Sequence, residues 1–366
     1  MTTHISPEEQ AIIITASRKL HQIFTLQATD QHGPLKVTYS IAGPDIGEDV
    51  PTILFCAGMF GTRWMAAWYD SFAEKEKVRM IFIDRPSFGG STPVPISQRI
   101  PVFLETVPAL LQHLSIPHIH IACHSAGTIY ALNLLWYHPE LLSPTNPTVN
   151  FFSPWVHQSI SSVSFLSAAS KLPNSLLNYW DGIVGFMVGP TFASSAGAIS
   201  SISGIFKFGS KDDEKKAEEE KKCLEIYGYS IEVKKKLDKL VFKYAFAENS
   251  KGGNDEARLC LKSVDGSGWD ACEDYEELVR RLKEVWEKKA QEGGKKLKVK
   301  IVFGEEDIMI GAKGKKYWED CWTQENCGEG MEVDCKELEG GDHENVLDAT
   351  KGILGEMCAA VKAERL

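Results

Sequence analysis

The sequence predicts an α/β protein: a mostly parallel, eight-stranded sheet flanked by helices and interrupted by a helical insertion. Three observations carry this. Over residues 1–156, short apolar runs alternate with longer stretches of helical spacing. Between 157 and 269 the alternation stops, and the chain reads as helical or irregular. From 270 to 366 it resumes. Alternation of this kind places parallel strands between two layers of helix. Residues 1–156 and 270–366 therefore form the core, and 157–269 form a lid inserted into it.

The elements follow in order. Ile23–Thr29 and Lys36–Ala42 read as an antiparallel hairpin around Gly33-Pro34. Thr52–Cys56 is a short apolar run suited to a strand buried on both faces. Trp64–Lys77 reads as helix. Arg79–Ile83 is the next strand, closed by Asp84-Arg85-Pro86 and Gly89-Gly90. Across Pro101–Leu114, Phe103, Val107, Leu110, Leu111 and Leu114 keep helical spacing. His118–Ala122 is a buried strand that passes almost directly into a helix over Gly127–Tyr137, and Val149–Val156 is a further strand. Beyond the insertion come an amphipathic helix over Tyr275–Glu292, a strand over Leu297–Phe303, a helix over Lys315–Thr323, a strand over Glu332–Leu338 and a closing helix over Val346–Ala363.

Two parts of the insertion stand out. Gly182–Phe206 carries no charge and is long enough to span a bilayer, but it contains Pro190, five glycines and five serines. A spanning helix is far richer in Leu, Ile and Val. Short lid helices over a pocket are the favoured reading, and a lid that also touches a membrane surface is the disfavoured rival. Residues 211–222 are almost wholly Lys, Asp and Glu. Their mixed charge reads as a solvated helix or loose loop.

Composition narrows the function. A net charge of −10 argues against nucleic acid or an acidic membrane as partner. The nine cysteines are odd in number, scattered and without a C-x-x-C pair, which points to a reducing compartment and no disulfide framework. With no signal-peptide pattern over Met1–Gln10, the expected location is cytoplasmic. The Gly89-Gly90 and Gly340-Gly341 pairs lack a dinucleotide fingerprint, so no cofactor is expected. A metal set of Cys321, Cys327, Cys335 and His343 matches no common zinc spacing, so no metal is expected either.

The chemistry concentrates at Cys123-His124-Ser125-Ala126-Gly127, between a buried strand and a helix. A serine on such a sharp turn takes strained dihedrals and presents its hydroxyl, and small residues must stand two before and two after it. Gly127 meets that need, and Cys123 replaces the more usual glycine. An ordinary helix N-cap is the plainer role for Ser125.

With its elbow at Ser125, the chain resembles the α/β-hydrolase superfamily over most of its length outside the insertion. Ala57-Gly58-Met59-Phe60-Gly61 resembles the family's oxyanion loop, with Ala where the family often has His. Asp84-Arg85-Pro86-Ser87-Phe88-Gly89-Gly90-Ser91 resembles the loop after its fourth strand. Gly304-Glu305-Glu306-Asp307 and Gly341-Asp342-His343 stand where the family keeps its acid and its histidine. Glu305 and Glu306 are rival acids, and the family spacing selects Asp307.

The resemblance implies a triad of Ser125, Asp307 and His343. His343 would take the Ser125 proton and return it to the leaving group, while Asp307 would fix the imidazole tautomer. The backbone N–H groups of Met59 and Ala126 would bind the oxyanion. Asp84, Arg85 and Ser91 would hold loops, and His124 would pack beneath the elbow. Phe60, Trp155, Trp180, Phe186 and Met187 are candidate pocket walls, with Phe165, Leu176 and Leu177 also in the lid. Dehalogenases and epoxide hydrolases of this fold carry aspartate at the elbow. Serine instead suits an ester, lactone or thioester of a mid-sized apolar metabolite. Acyl transfer, cyclisation or carbon–carbon cleavage on the same triad is the first alternative, and a non-catalytic ligand receptor of the same fold is the second.

Overall fold

The computed structural model describes residues 5–170, 174–179 and 210–363. The uncharged stretch Gly182–Phe206, Trp180, Phe186, Met187 and the Phe165 side chain lie outside the described residues.

The eight strands are β1 (Gln22–Leu26), β2 (Leu35–Ala42), β3 (Thr52–Cys56), β4 (Arg79–Ile83), β5 (His120–His124), β6 (Thr148–Phe152), β7 (Leu297–Gly304) and β8 (Met331–Leu338). They form one sheet in the order β1-β2-β4-β3-β5-β6-β7-β8. β2 pairs antiparallel with β1 and β4, and every other pairing is parallel. The central strands β3, β4, β5 and β6 are buried at every residue. Period-two alternation splits their side chains between two apolar layers. Leu54, Cys56, Ile121 and Cys123 face one, with Val107, Ile129 and Trp155. Ile53, Phe55 and Ala122 face the other, with Phe72 and Leu354.

Helix α1 (Pro7–Thr15) is nucleated by a capping box between Ser6 and Glu9 with proline at its first turn. A 3₁₀ turn over Arg63–Met65 leads into α2 (Ala66–Glu76), which stops at Lys77 in the left-handed conformation. Helices α3 (Arg99–His113) and α4 (Gly127–Tyr137) cover the opposite face.

Several boundaries differ from the sequence expectation. The strand expected at His118–Ala122 runs over His120–His124, because Cys123 and His124 pair with Phe151 and Phe152 of β6. The strand expected to reach Val156 ends at Phe152, since Ser153 takes a left-handed φ of 42° and Pro154 follows. The closing helix starts late, at Ile353, after two 3₁₀ turns and a left-handed Gly352.

The charged run sits in a helix over Ser210–Tyr227. Its end is not solvated: Cys223 and Tyr227 are buried. The next helix, Ile231–Ala247, buries Val233, Leu237, Leu240 and Val241, spaced to form one stripe, in the same layer as Ala11, Leu20, Trp64 and Phe72. This part of the inserted segment therefore completes a face of the core. A third helix, Lys251–Leu261, runs beside the loops after β3 and β4. Among the described residues, no helix is long and apolar enough to cross a membrane.

Candidate active site

Ser125 follows β5 immediately and holds φ at 49°, in the left-handed region that a serine adopts only under constraint. The constraint comes from both sides. Its N–H donates to the Phe152 carbonyl at 3.1 Å, and its own carbonyl accepts from Thr128 at 3.0 Å and Trp155 at 3.3 Å. Ala126 caps α4 with ordinary helical angles, so the reversal is confined to Ser125.

The small residues around the elbow answer to measurable contacts. A Cβ on Gly127 would stand 1.9 Å from the Cys56 carbonyl oxygen and 2.7 Å from that of Ala57. We expect Gly127→Ala to lose about 3 kcal/mol of stability, because the obstructing atoms are backbone and cannot swing aside. Chemical denaturation measures it, and a change below about 1 kcal/mol would contradict the packing argument. Cys123 fits because it points away from that contact, into the apolar layer beneath α4. There its Sγ lies 3.9 Å from the Thr128 hydroxyl, and burial pushes its thiol pKa well up. It behaves as a small hydrophobe.

His343 lies beyond β8 and reaches the elbow because β7 ends in glycine. A Cβ on Gly304 would stand 2.6 Å from the carbonyl oxygens of both Gly341 and Asp342. The Asp342 carboxylate accepts the N–H groups of Glu344 and Asn345 and so turns the chain at this point. His343 Nε2 is 2.9 Å from Ser125 Oγ. Its Nδ1 is 2.9 Å and 3.1 Å from the two oxygens of Asp307. An ionised carboxylate only accepts, so Nδ1 carries the proton and Nε2 presents its lone pair to the serine. Asp307 is itself held by the N–H groups of Met309 and Ile310, at 2.9 and 3.0 Å. The rival acids are elsewhere: Glu305 and Glu306 are exposed, and Glu305 accepts the Gly340 N–H.

All three side chains are buried. Burial works to raise the Asp307 carboxyl, but the His343 hydrogen bond and charge and the Ile310 N–H outweigh it and hold it at about 2. For His343, burial opposes the charged ring. The hydrogen bond and charge of Asp307, with Glu344 and Asp342, prevail and raise its pKa above the ordinary histidine value.

His124 does more than pack beneath the elbow. Burial lowers its pKa, and its Nε2 lies 2.7 Å from the His343 carbonyl oxygen. It thus ties the residue before the serine to the histidine opposite. His124, His343 and Glu344 form a group of the size that could hold a metal. Yet His343 spends its two ring nitrogens on Ser125 and Asp307, and His124 spends Nε2 on the backbone.

The loop after β3 reaches the serine at Gly58, where a Cβ would stand 3.5 Å from Ser125 Cβ. Among the described residues, neither the Met59 nor the Ala126 N–H donates to a backbone carbonyl. Arg85 grips this loop, donating to the carbonyls of Ala57 and Gly58 at 2.7 Å each. Asp84 secures the neighbouring turn by accepting from Thr38 and from both the backbone and side chain of Arg63. Phe60 turns toward the inserted segment, against Phe246 and Gly253. Trp155 is enclosed in the core, its backbone N–H bonded to the Ser125 carbonyl and Thr128 hydroxyl and its carbonyl accepting from Tyr275. Of the lid candidates, Leu177 is buried and Leu176 is exposed.

No protein-family profile and no curated protein sequence matches the chain. Solved structures do match in shape. An epoxide hydrolase from Vigna radiata aligns with a TM-score of 0.54 at 15% identity, over 95% of this chain and 98% of its own. An esterase from Exiguobacterium antarcticum aligns with a TM-score of 0.54 at 14% identity, over 93% and 100%. A structure from a study of carboxylesterases of the thaumarchaeon Nitrososphaera gargenis aligns with a TM-score of 0.51 at 15% identity, over 93% and 100%. At such identities the likeness is one of fold. The chain has the α/β-hydrolase fold.

Proposed function

We propose that the protein is a serine hydrolase that cleaves a carboxylic ester, lactone or thioester of a mid-sized apolar metabolite through an acyl-enzyme on Ser125. The observation that carries the reading is the relay itself: Ser125 Oγ 2.9 Å from His343 Nε2, with His343 Nδ1 2.9 Å from a buried Asp307. In the first half-reaction Ser125 Oγ bonds to the acyl carbon and its proton passes to His343 Nε2. The carbonyl oxygen becomes an oxyanion facing the N–H groups of Met59 and Ala126, a donor of this kind being worth about 3 kcal/mol. Collapse breaks the bond to the leaving group, which takes the His343 proton. Water then repeats the sequence: its proton goes to His343, its oxygen to the acyl carbon, and Ser125 leaves with the proton restored.

A serine at the elbow suits acyl chemistry, where the epoxide hydrolases of this fold use aspartate. The 157–269 insertion serves as the cover of the site in this reading, since Phe246 and Gly253 close on Phe60 beside the oxyanion loop. Nine unpaired cysteines suit a reducing, cytoplasmic setting.

A series of p-nitrophenyl esters of rising acyl length, run beside lactones, tests the substrate class. The expected result is saturable hydrolysis with kcat/KM highest at intermediate acyl length. No turnover across the esters and lactones by folded protein would overturn the proposal.

A further inference from the structure

We propose that Glu256, carried by the inserted segment, is a positioning residue for the oxyanion loop, acting through Arg85 to aim the Met59 N–H at the acyl oxygen. This rests on the serine-hydrolase reading of the site and assigns the insertion a second task besides covering it.

The Gly58 carbonyl and the Met59 N–H belong to the same planar trans group, so they point in opposite directions. The carbonyl oxygen is held by Arg85 Nη2 at 2.7 Å and by the Gly61 N–H at 2.9 Å. Fixing the oxygen fixes the N–H on the far side. The positive guanidinium of Arg85 against that oxygen also polarises the unit and strengthens the N–H as a donor.

Arg85 can do this only if its own fork is fixed. An arginine side chain has several rotatable bonds, and its planar head must be clamped to hold two carbonyls at once. Glu256 supplies the clamp: it accepts Arg85 Nε at 2.7 Å and Nη2 at 2.8 Å. The geometry is bidentate, the most directional form of this pair. Both side chains are fully buried. The same carboxylate accepts Arg99 Nη2 at 3.0 Å and the Tyr130 hydroxyl at 2.8 Å. Arg99 belongs to α3, and Tyr130 to the helix that begins at the elbow. One insertion-borne carboxylate therefore joins the loops after β3 and β4 to both helices. A residue along from Met59, Phe60 packs on Gly253 of the same inserted helix, so the segment grips the loop twice.

Glu256→Gln keeps the shape and removes the charge and one acceptor geometry. The test compares kcat and KM on an ester and on its thionoester, in which sulfur replaces the carbonyl oxygen and accepts hydrogen bonds poorly. An aimed N–H favours oxygen, so a misaimed one erodes the preference. We expect kcat on the ester to fall about 10- to 100-fold, short of losing a donor outright, with KM little changed and the oxygen-to-sulfur preference falling in step. Tyr130→Phe is the control: it removes a hydroxyl from the same buried cluster but keeps the ring under the Arg85 guanidinium and the Glu256 hold on Arg85, so it should lower the melting temperature and leave the preference alone. If Glu256→Gln does not fold, pairing it with Arg99→Gln keeps the buried net charge unchanged. Peptide-resolved hydrogen exchange supplies a readout that needs no substrate, with faster exchange expected at residues 57–61 and little change elsewhere.

The outcomes separate. Wild-type turnover with an unchanged oxygen-to-sulfur preference in Glu256→Gln overturns the positioning role and leaves the hydrolase reading in place. No wild-type turnover, with faster exchange confined to 57–61 in the variant, removes the hydrolase reading and supports the hold of Glu256 on the loop. Exchange that is unchanged, or faster throughout the chain, overturns the positioning role in either case.

Discussion

Ser125→Ala should lower ester turnover by about 10⁶-fold, the scale on which removing a serine nucleophile silences a triad. The variant keeps the His343–Asp307 pair and the elbow backbone bonds to Phe152, Thr128 and Trp155, so its fold survives. It loses one buried hydrogen bond, from Oγ to His343, worth about 1 kcal/mol. A large kinetic effect with a small thermal one is the signature of a nucleophile. If Ser125 were only a helix cap, the balance would reverse: stability would drop and turnover would follow it. Steady-state rates and a melting curve on the same preparation separate the two.

Asp307→Asn should cost about 10⁴-fold in kcat, because asparagine can donate to Nδ1 and so invites the wrong imidazole tautomer. It also makes a prediction about pH. On the proposed mechanism, wild-type His343 serves as the base only when neutral, and its pKa lies above the ordinary histidine value because Asp307 favours the charged ring. Activity therefore falls as pH drops through that raised value, while Asp307, at about 2, stays ionised throughout. Removing the carboxylate leaves burial as the leading influence on the ring, and burial lowers it. The acid limb of the residual activity should move to lower pH. An acid limb that stays in place would assign the controlling ionisation to another group.

The same shifts give a stability profile with a definite sign. Asp307, depressed in the folded state, contributes stability above the unfolded carboxylate value and loses it as pH falls toward about 2. His343, raised in the folded state, contributes below the unfolded histidine value and loses it as pH rises through its folded value. Both describe one coupled pair, so the contribution counts once.

How far the sequence speaks for the structure varies with the kind of residue. β3, β4 and α4 were legible to the residue, because each apolar run is bounded by an unmistakable breaker: Ala57-Gly58, Asp84-Arg85-Pro86, Gly127. The order of Ser125, Asp307 and His343 was legible because each follows a strand end, and these ends share one edge of a parallel sheet. By contrast, Cys123 and His124 belong to the elbow motif, which hides the strand's true end, although both pair with β6 and are buried. Helix α1 is not legible in the sequence, since its Ile12, Ile13 and Ile14 run consecutively and leave no stripe. The charged run reads as a solvated helix or loose loop and gives no sign that its helix enters the core just beyond it, at Cys223 and Tyr227. Arg85 reads as a loop-holder, but nothing in the sequence pairs it with Glu256, which is 171 positions away. Such a pair exists only after the insertion has folded back onto the sheet.

The most direct test of the central claim is to treat the pure protein with a fluorophosphonate and locate the adduct by mass spectrometry. Such a probe forms a bond only to an activated serine oxygen, so it tests the relay without any knowledge of the natural substrate. One adduct is expected, on Ser125, absent from Ser125→Ala and strongly slowed in His343→Ala. Labelling at another serine, or none on protein shown to be folded, would contradict it.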